Sequence, residues 1–194
     1  MKDNIIISIV GPDGSGKTSI IKKLMEKLSS KKIKYKCFHL KPGLFKKNNP
    51  VLDPHNQTPR SKFLSFLKII YWLILFRVYF FLRLFSKTKI YIFDRYPDDL
   101  LIDYKRYRFK LDDKITIAFL KLFPRPSIWI NMTGDANEIW NRKKEIKLEI
   151  LSKLLIKYSN FVKDKNHLNI KKLDEYEKIY NFIFKNLKWS IKQL

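Results

Sequence analysis

Eight consecutive residues, Gly11-Pro12-Asp13-Gly14-Ser15-Gly16-Lys17-Thr18, follow directly on the apolar run 5–10 and restrict this chain more than any other stretch. The order G-x-x-x-x-G-K-[ST] lets backbone N–H groups curl around phosphate oxygens, because glycines accept the dihedral angles that the curl demands. Lys17 is then placed to reach β- and γ-phosphates, and the Thr18 hydroxyl to face Mg²⁺. A helix expected over 17–30, with Ile20, Ile21, Leu24, Met25 and Leu28 at helical spacing, aims its positive dipole end at the same point. Strand, loop and helix in that order predict an ATP site made by Gly11, Asp13, Gly14, Ser15, Gly16, Lys17, Thr18 and Ser19.

Four further segments, 35–40, 90–93, 127–131 and a weaker one at 169–173, read as buried or half-buried strands. Helical patterns separate them. One runs over 135–142; another places Leu148, Leu151, Leu155, Tyr158 and Val162 at helical spacing; the last, capped by Asp174, lines up Tyr176, Ile179, Tyr180, Ile183, Leu187 and Ile191. The alternation predicts an α/β fold with a five-stranded parallel sheet flanked by helices, one domain over 1–194. Ligands of such sheets gather at the strand C-terminal ends. There lie the loop after Val10, the segment Lys41-Pro42-Gly43, Asp94 and the turn after Met132.

The chain has 194 residues, enough for one real core, and a formal net charge of +23 from 41 Lys and Arg against 18 Asp and Glu. That charge suits a nucleic acid, an anionic membrane or a phosphorylated ligand, and by itself selects none of them. Lysine is spread over nearly every segment, as expected of a solvated surface, so a polymer partner such as nucleic acid is disfavoured. The single cysteine, Cys37, excludes an intrachain disulfide, and no secretory cleavage pattern precedes the first strand. The expectation is a cytoplasmic chain, with the inner membrane face as a peripheral location. His39, His55 and His167 lack metal-ligand spacing.

The apolar stretch 63–85 is interrupted by Lys68, Arg77 and Arg83, which argues against a membrane span. On a helical wheel Lys62, Lys68, Arg77 and Arg83 occupy one half, and Phe63, Leu67, Tyr71, Ile74, Val78, Phe81 and Phe85 the other. The expectation is a helix whose aromatic face packs in the core or against a second copy, as a homodimer. Peripheral membrane contact through that face and its basic flank is the alternative.

Asp94 closes the third strand, where proteins with this phosphate loop hold Mg²⁺ through an acidic residue. Arg95 beside it is suited to a phosphate or to charge developing in transfer. Taken together, the loop at 11–18 and Phe93-Asp94-Arg95-Tyr96, in this order and spacing, resemble the thymidylate kinases and thymidylate kinase-like proteins. The resemblance covers most of the chain and implies a P-loop NTPase fold of the nucleoside monophosphate kinase type. It implies that Asp13 touches the acceptor sugar, that Asp94 and Thr18 serve the metal, and that Arg95 binds the acceptor phosphate beside Tyr96. A small lid is implied around 142–150. Family members without an arginine in the loop carry basic lid residues, here Arg142, Lys143 and Lys144.

Two positions depart from that family. Leu40-Lys41-Pro42-Gly43-Leu44 stands where Arg-Glu-Pro-Gly-Gly is usual, and Phe76-Arg77 where the base-reading helix carries Asp-Arg. The blocks 38–42, 52–55, 59–61 and 103–108 are similar to a divergent branch found with surface-polysaccharide genes. Lys41, Arg60, Arg106 and Arg108 are candidate ligands of an anionic acceptor. Asp98, Asp99 and Asp103 fit a turn and helix N-terminus, or orientation of the acceptor. The expected activity is ATP- and Mg²⁺-dependent transfer of a phosphoryl group to a small anionic acceptor, by default a nucleoside monophosphate such as dTMP. Lys17, Asp94, Arg95 and Arg142 are the expected catalytic residues. The alternatives are a sugar or metabolite kinase in surface-glycan synthesis, and a nucleotide-binding protein acting at a membrane or nucleic acid.

Overall fold

Alternate residues of the central strands carry two different kinds of side chain, and this sorts the helices into two layers. The computed structural model describes residues 5–42, 55, 58–82, 90–171 and 175–192. Strands β1 (Ile5–Val10), β2 (Tyr35–His39), β3 (Ile90–Asp94), β4 (Ile128–Met132) and β5 (His167–Ile170) form one sheet in the order β2-β3-β1-β4-β5. Every pairing is parallel. Ile5, Ile7, Ile9, Ile90, Ile92, Ile128, Ile130 and Met132 face one side, where α1 (Lys17–Ser30) and α7 (Tyr176–Lys192) complete an aliphatic core. Ile6, Val10, Tyr91, Phe93 and Trp129 face the other.

That second, aromatic side is covered by α2 (Lys62–Leu82), α3 (Asp99–Ile102), α4 (Asp113–Leu120) and α6 (Leu148–Val162), with α5 (Ala136–Arg142) leading into α6. Phe76 stacks on Phe93 at 5.5 Å and meets Tyr96 and Phe123 edge-on. Two of the helices start where an aspartate carboxylate accepts free backbone N–H groups: Asp112 at α4 and Asp135 at α5. The five-stranded parallel sheet matches the sequence expectation. Helix α3 begins at the helix N-terminus expected near Asp98 and Asp99, the short helix α4 was not anticipated, and strand five begins two residues earlier than expected. The expected cap Asp174, the far end of strand 169–173, Gly43, residues 52–54 and the end of helix 63–85 lie outside the described residues.

The aromatic wheel face of α2, expected in the core or against a second copy, does not pack in the core. Ser65, Ile69, Trp72 and Phe76 are buried, whereas Phe63, Leu67, Tyr71, Ile74, Val78 and Phe81 face outward, Phe81 with 71% of its surface exposed. The cause is that α2 is apolar nearly all round, so hydrophobicity does not choose its inward face. The choice is made by the cations. Lys68 and Arg77 flank the buried stripe and donate to the carbonyls of Tyr107 and Leu122, which keeps both charges hydrogen-bonded beside the sheet.

The β1–β3–β2 register sets the site. It pairs Ile9 with Asp94 and Asp94 with His39, so the ends of three strands meet at one level. Arg95 N–H donates to Ile9 O at 2.9 Å and Leu40 N–H to Asp94 O at 2.8 Å, which carries the alignment one residue past the strands.

The packing of α2 yields a direct check. Phe76→Ala empties a fully buried aromatic site and is expected to cost about 3–5 kcal/mol. At chain concentrations too low for self-association, Ile74→Ala, on the outward face, is expected to change stability by no more than about 0.5 kcal/mol. Urea unfolding of both variants measures the difference, and comparable losses would place the wrong face of α2 against the sheet.

Candidate functional site

The phosphate loop is shaped by the ends of its neighbours. Gly11 has φ +139°, and a Cβ there would lie 2.7 Å from the carbonyl oxygen of Met132 at the end of β4, so only glycine passes. The loop closes into α1 through Gly16, itself left-handed at φ +89°. Ser15 Oγ is buried without a hydrogen-bond partner among the described residues. Thr18 and Ser19, in the first turn of α1, are exposed.

Lys17 is buried beneath this loop. Its Nζ donates to Gly11 O at 2.9 Å and Pro12 O at 2.6 Å and lies 3.9 Å from Asp13 Oδ1. Burial, and then the charge of Arg95, lower its pKa to about 7, against the opposing pull of Asp94 and Asp99. A buried ammonium, an orphaned serine hydroxyl and a glycine-lined turn at a helix N-terminus are the chemistry that receives a polyphosphate.

Asp94 accepts from His39 Nδ1 at 3.1 Å through Oδ2, while Oδ1 is buried without a partner among the described residues. Burial pushes its carboxyl up, but the His39 hydrogen bond and the charges of Lys17, His39 and Arg95 outweigh this and hold it below the ordinary value. An ionised carboxylate with a spare oxygen, together with the exposed Thr18 hydroxyl, is a hard-oxygen donor set suited to Mg²⁺.

Arg95 sits at φ +74° and is 1% exposed. Nη2 donates to Asp13 Oδ1 at 2.6 Å, and Nη1 to Asp99 Oδ2 at 2.9 Å and to Tyr158 OH at 3.1 Å. Asp13 also receives Arg106 Nη1 on its other oxygen, and Asp99 receives the Tyr107 hydroxyl at 3.1 Å. One guanidinium thereby ties the phosphate loop, α3, the turn at 103–108 and α6 together. Its fork is filled by protein carboxylates rather than held open for an acceptor phosphate.

The remaining expected residues divide. Tyr96 was expected at the acceptor, but it is fully buried among Phe76, Phe93 and Trp129, and its hydroxyl donates to Pro124 O. The left-handed turn at Arg95 sends the next side chain back into the aromatic core. Arg142 is exposed and pairs with Glu138 at 3.7 Å along its own helix. Lys143 is the lid cation nearest the loop: its Cβ is 3.2 Å from where a Cβ on Gly14 would stand, and its Nζ is 2.8 Å from Glu145. Lys41 follows β2 with Nζ 4.7 Å from the Tyr71 ring centroid. Arg60 N–H donates to Arg108 O at 2.9 Å, and Arg108 Nε to Thr58 O at 2.8 Å.

Beside the loop, Asp13, His55, Asp103 and Lys143 line a recess. The neighbouring cavity, about 600 Å³, is walled by Asp103, Tyr104, Trp140, Ile146 and Leu154. Sequence reasoning missed two participants and the contact of a third. Tyr158 stood only as one apolar position of a helical stripe and Lys68 as a charge interrupting a hydrophobic run, while Asp99 was a candidate for a turn and helix N-terminus or for orienting the acceptor, not for holding Arg95. The single sequence signal among them is the four-residue spacing of Arg95 and Asp99, which places both on one side of a turn.

No protein-family model matches the chain, and no curated protein matches it. Among solved structures, a deoxyadenosine kinase from M. mycoides with bound dATP is similar, with a TM-score of 0.57 and 20% sequence identity. The match covers 93% of this chain and 99% of that one. The shared architecture is the α/β fold of P-loop NTPases, a five-stranded parallel sheet with flanking helices.

Asp103 supplies a pH signature. Burial pushes its carboxyl up to about 6, with Arg95 opposing and Asp99 reinforcing the shift. A carboxyl that holds its proton more tightly folded than unfolded costs stability as pH rises from about 4 to about 6, and nothing further above. Asp103→Asn should therefore gain on the parent protein by about 2–3 kcal/mol across that interval. Urea unfolding at intervals between pH 4 and 7 checks this, and a difference independent of pH would rule it out.

Proposed function

We propose that this protein transfers the γ-phosphoryl group of ATP to a small anionic acceptor, with a nucleoside monophosphate such as dTMP as the default. The observation that carries this reading is the 2.6 Å contact between Arg95 and Asp13, which brings the end of β3 onto the phosphate loop. A triphosphate tail in the loop would then face Asp94 and the Arg95 pair. A protein of the same fold is a deoxyadenosine kinase, which supports phosphoryl transfer of the nucleoside kinase kind at the coarse level.

Positioning does most of the work in such transfers. Backbone N–H groups of 11–16 hold the donor, and Lys17 leaves the carbonyls of Gly11 and Pro12 to pair with oxygens of the transferred group. Polyphosphate charge beside it keeps its ammonium protonated despite burial. Thr18 and Asp94 would hold Mg²⁺, which would supply charge neutralisation for the transferred group. Asp13, fixed by Arg95 and Arg106, orients the acceptor, while Lys143 with Arg142 and Lys144 covers the phosphates from the lid side. A lid closing around 142–150 excludes water and limits hydrolysis.

With ATP and Mg²⁺, a screen of dTMP, other nucleoside monophosphates, sugars and sugar acids should find one acceptor class that drives turnover. Lys17→Ala should lower that turnover by about 10²–10³-fold. Full activity in the variant would falsify the assignment of the loop lysine. ATP consumption that responds only to lipid vesicles or polynucleotide would replace the kinase reading with a nucleotide-driven protein acting at those surfaces.

The outward stripe of α2 also favours pairing with a second copy, since large apolar side chains run its whole length. Light scattering at micromolar concentration should give twice the chain mass, and Ile74→Glu with Phe81→Glu should halve it. A monomeric parent protein would exclude the dimer.

A further inference from the structure

Four cations converge where β2 ends and α2 begins, and no carboxylate among the described residues answers three of them. Lys68 Nζ donates to Tyr107 O at 2.6 Å and stands 5.4 Å from the Trp72 ring centroid and 5.7 Å from that of Tyr107. Lys41 Nζ lies 4.7 Å from the Tyr71 ring centroid and 5.8 Å from that of Trp72. Arg60 and Arg108 are joined through their backbones across the same corner. Lys41, Arg60 and Lys68 make no ion pair among the described residues. Aromatic faces and one carbonyl soften the repulsion without cancelling it.

The corner lies on the acceptor side of the loop. Lys41 follows the strand whose His39 pairs with Asp94, and Arg108 closes the turn whose Arg106 holds Asp13. Arg95, the expected partner of an acceptor phosphate, is consumed by Asp13, Asp99 and Tyr158. We propose that Lys41, Arg60, Lys68 and Arg108 form the seat for the acceptor's anionic group, a phosphate or carboxylate, an inference that rests on the phosphoryl-transfer reading above. Lys68 is the centre of the seat, because it is the cation whose Nζ reaches both the Trp72 and the Tyr107 rings.

The electrostatics agree with this geometry. The groups facing Lys68 are Lys41 from the end of β2, Arg60 from the segment before α2, Arg108 and Tyr107 from the turn after α3, and Trp72 on its own helix. Burial, and then Arg60, Lys41 and Arg108, lower its pKa to about 8. An arriving anion reverses the sign of that field and raises the pKa. Filling the seat near pH 8 therefore takes up part of a proton, and affinity declines as the pH climbs above 8.

Inorganic pyrophosphate is the probe, titrated calorimetrically into the whole chain. Two sites are expected, the phosphate loop and the seat. Lys17→Met should remove the first alone; the double variant Lys41→Met with Lys68→Met should weaken the second at least tenfold and leave the first intact. Lys153→Met, a charge-matched change on the wall of the lid-side cavity, should leave both. At pH 8 the second site should show heats that depend on the buffer's ionisation enthalpy, and Lys68→Arg should keep the binding but lose that dependence. The seat is refuted if the double variant binds pyrophosphate like the parent, or if Lys153→Met weakens it equally. Should Lys17→Met remove neither site while the double variant removes one, the seat stands and the triphosphate reading falls.

Discussion

The conformation of the phosphate loop depends on a charge that does not belong to it. Arg95, at the end of β3, holds Asp13 on one nitrogen and Asp99 on another, and Asp13 is held in turn by Arg106. A guanidinium 1% exposed survives in the interior because two carboxylates and the Tyr158 hydroxyl surround it. Removing a member would leave a buried charge uncompensated, a larger loss than any single contact contributes. The loop, α3, the 103–108 turn and α6 are therefore joined in one hydrogen-bonded network.

The sheet makes that clamp possible by separating two kinds of core. On the α1 and α7 side, isoleucines and leucines dominate the buried layer beneath the phosphate loop. On the α2 to α6 side, tyrosines, phenylalanines and tryptophans supply bulk together with hydroxyls. Tyr158 and Tyr107 each place an apolar ring in the core and an oxygen on the Arg95–Asp99 pair. An all-aliphatic layer there would offer the buried ions no hydrogen bonds.

Much of this was legible from local pattern. The phosphate loop, the five strands and the Asp94–Arg95 pair each announce themselves within a few residues, because the backbone angles or the apolar run they require are local. Contacts across long sequence separations were not legible. Tyr158 lies 63 residues from Arg95, and its place in an apolar stripe hid a hydroxyl contact. Tyr96 shows the same limit from the other side. Its position after Arg95 suggested the acceptor, but one residue at positive φ reverses the direction of the next side chain. Helix α2 was misread because a wheel of nearly uniform hydrophobicity has no preferred face until Lys68 and Arg77 find their carbonyls.

Net charge is a poor guide to which cations matter, and burial is a good one. Of 41 Lys and Arg in the sequence, only Lys17 and Arg95 are buried among the described residues. Both sit at the phosphate loop, and both are held in place by carboxylates or backbone carbonyls. Lys68 is the intermediate case, half-buried and facing cations rather than carboxylates. A solvated lysine costs nothing to keep charged, so the exposed majority is compatible with surface solvation alone. Lysines held where water and counter-charge are scarce carry an electrostatic penalty that an anion relieves. On that criterion the electrostatically strained cations among the described residues gather at two places, one beneath the phosphate loop and one at the corner of β2 and α2.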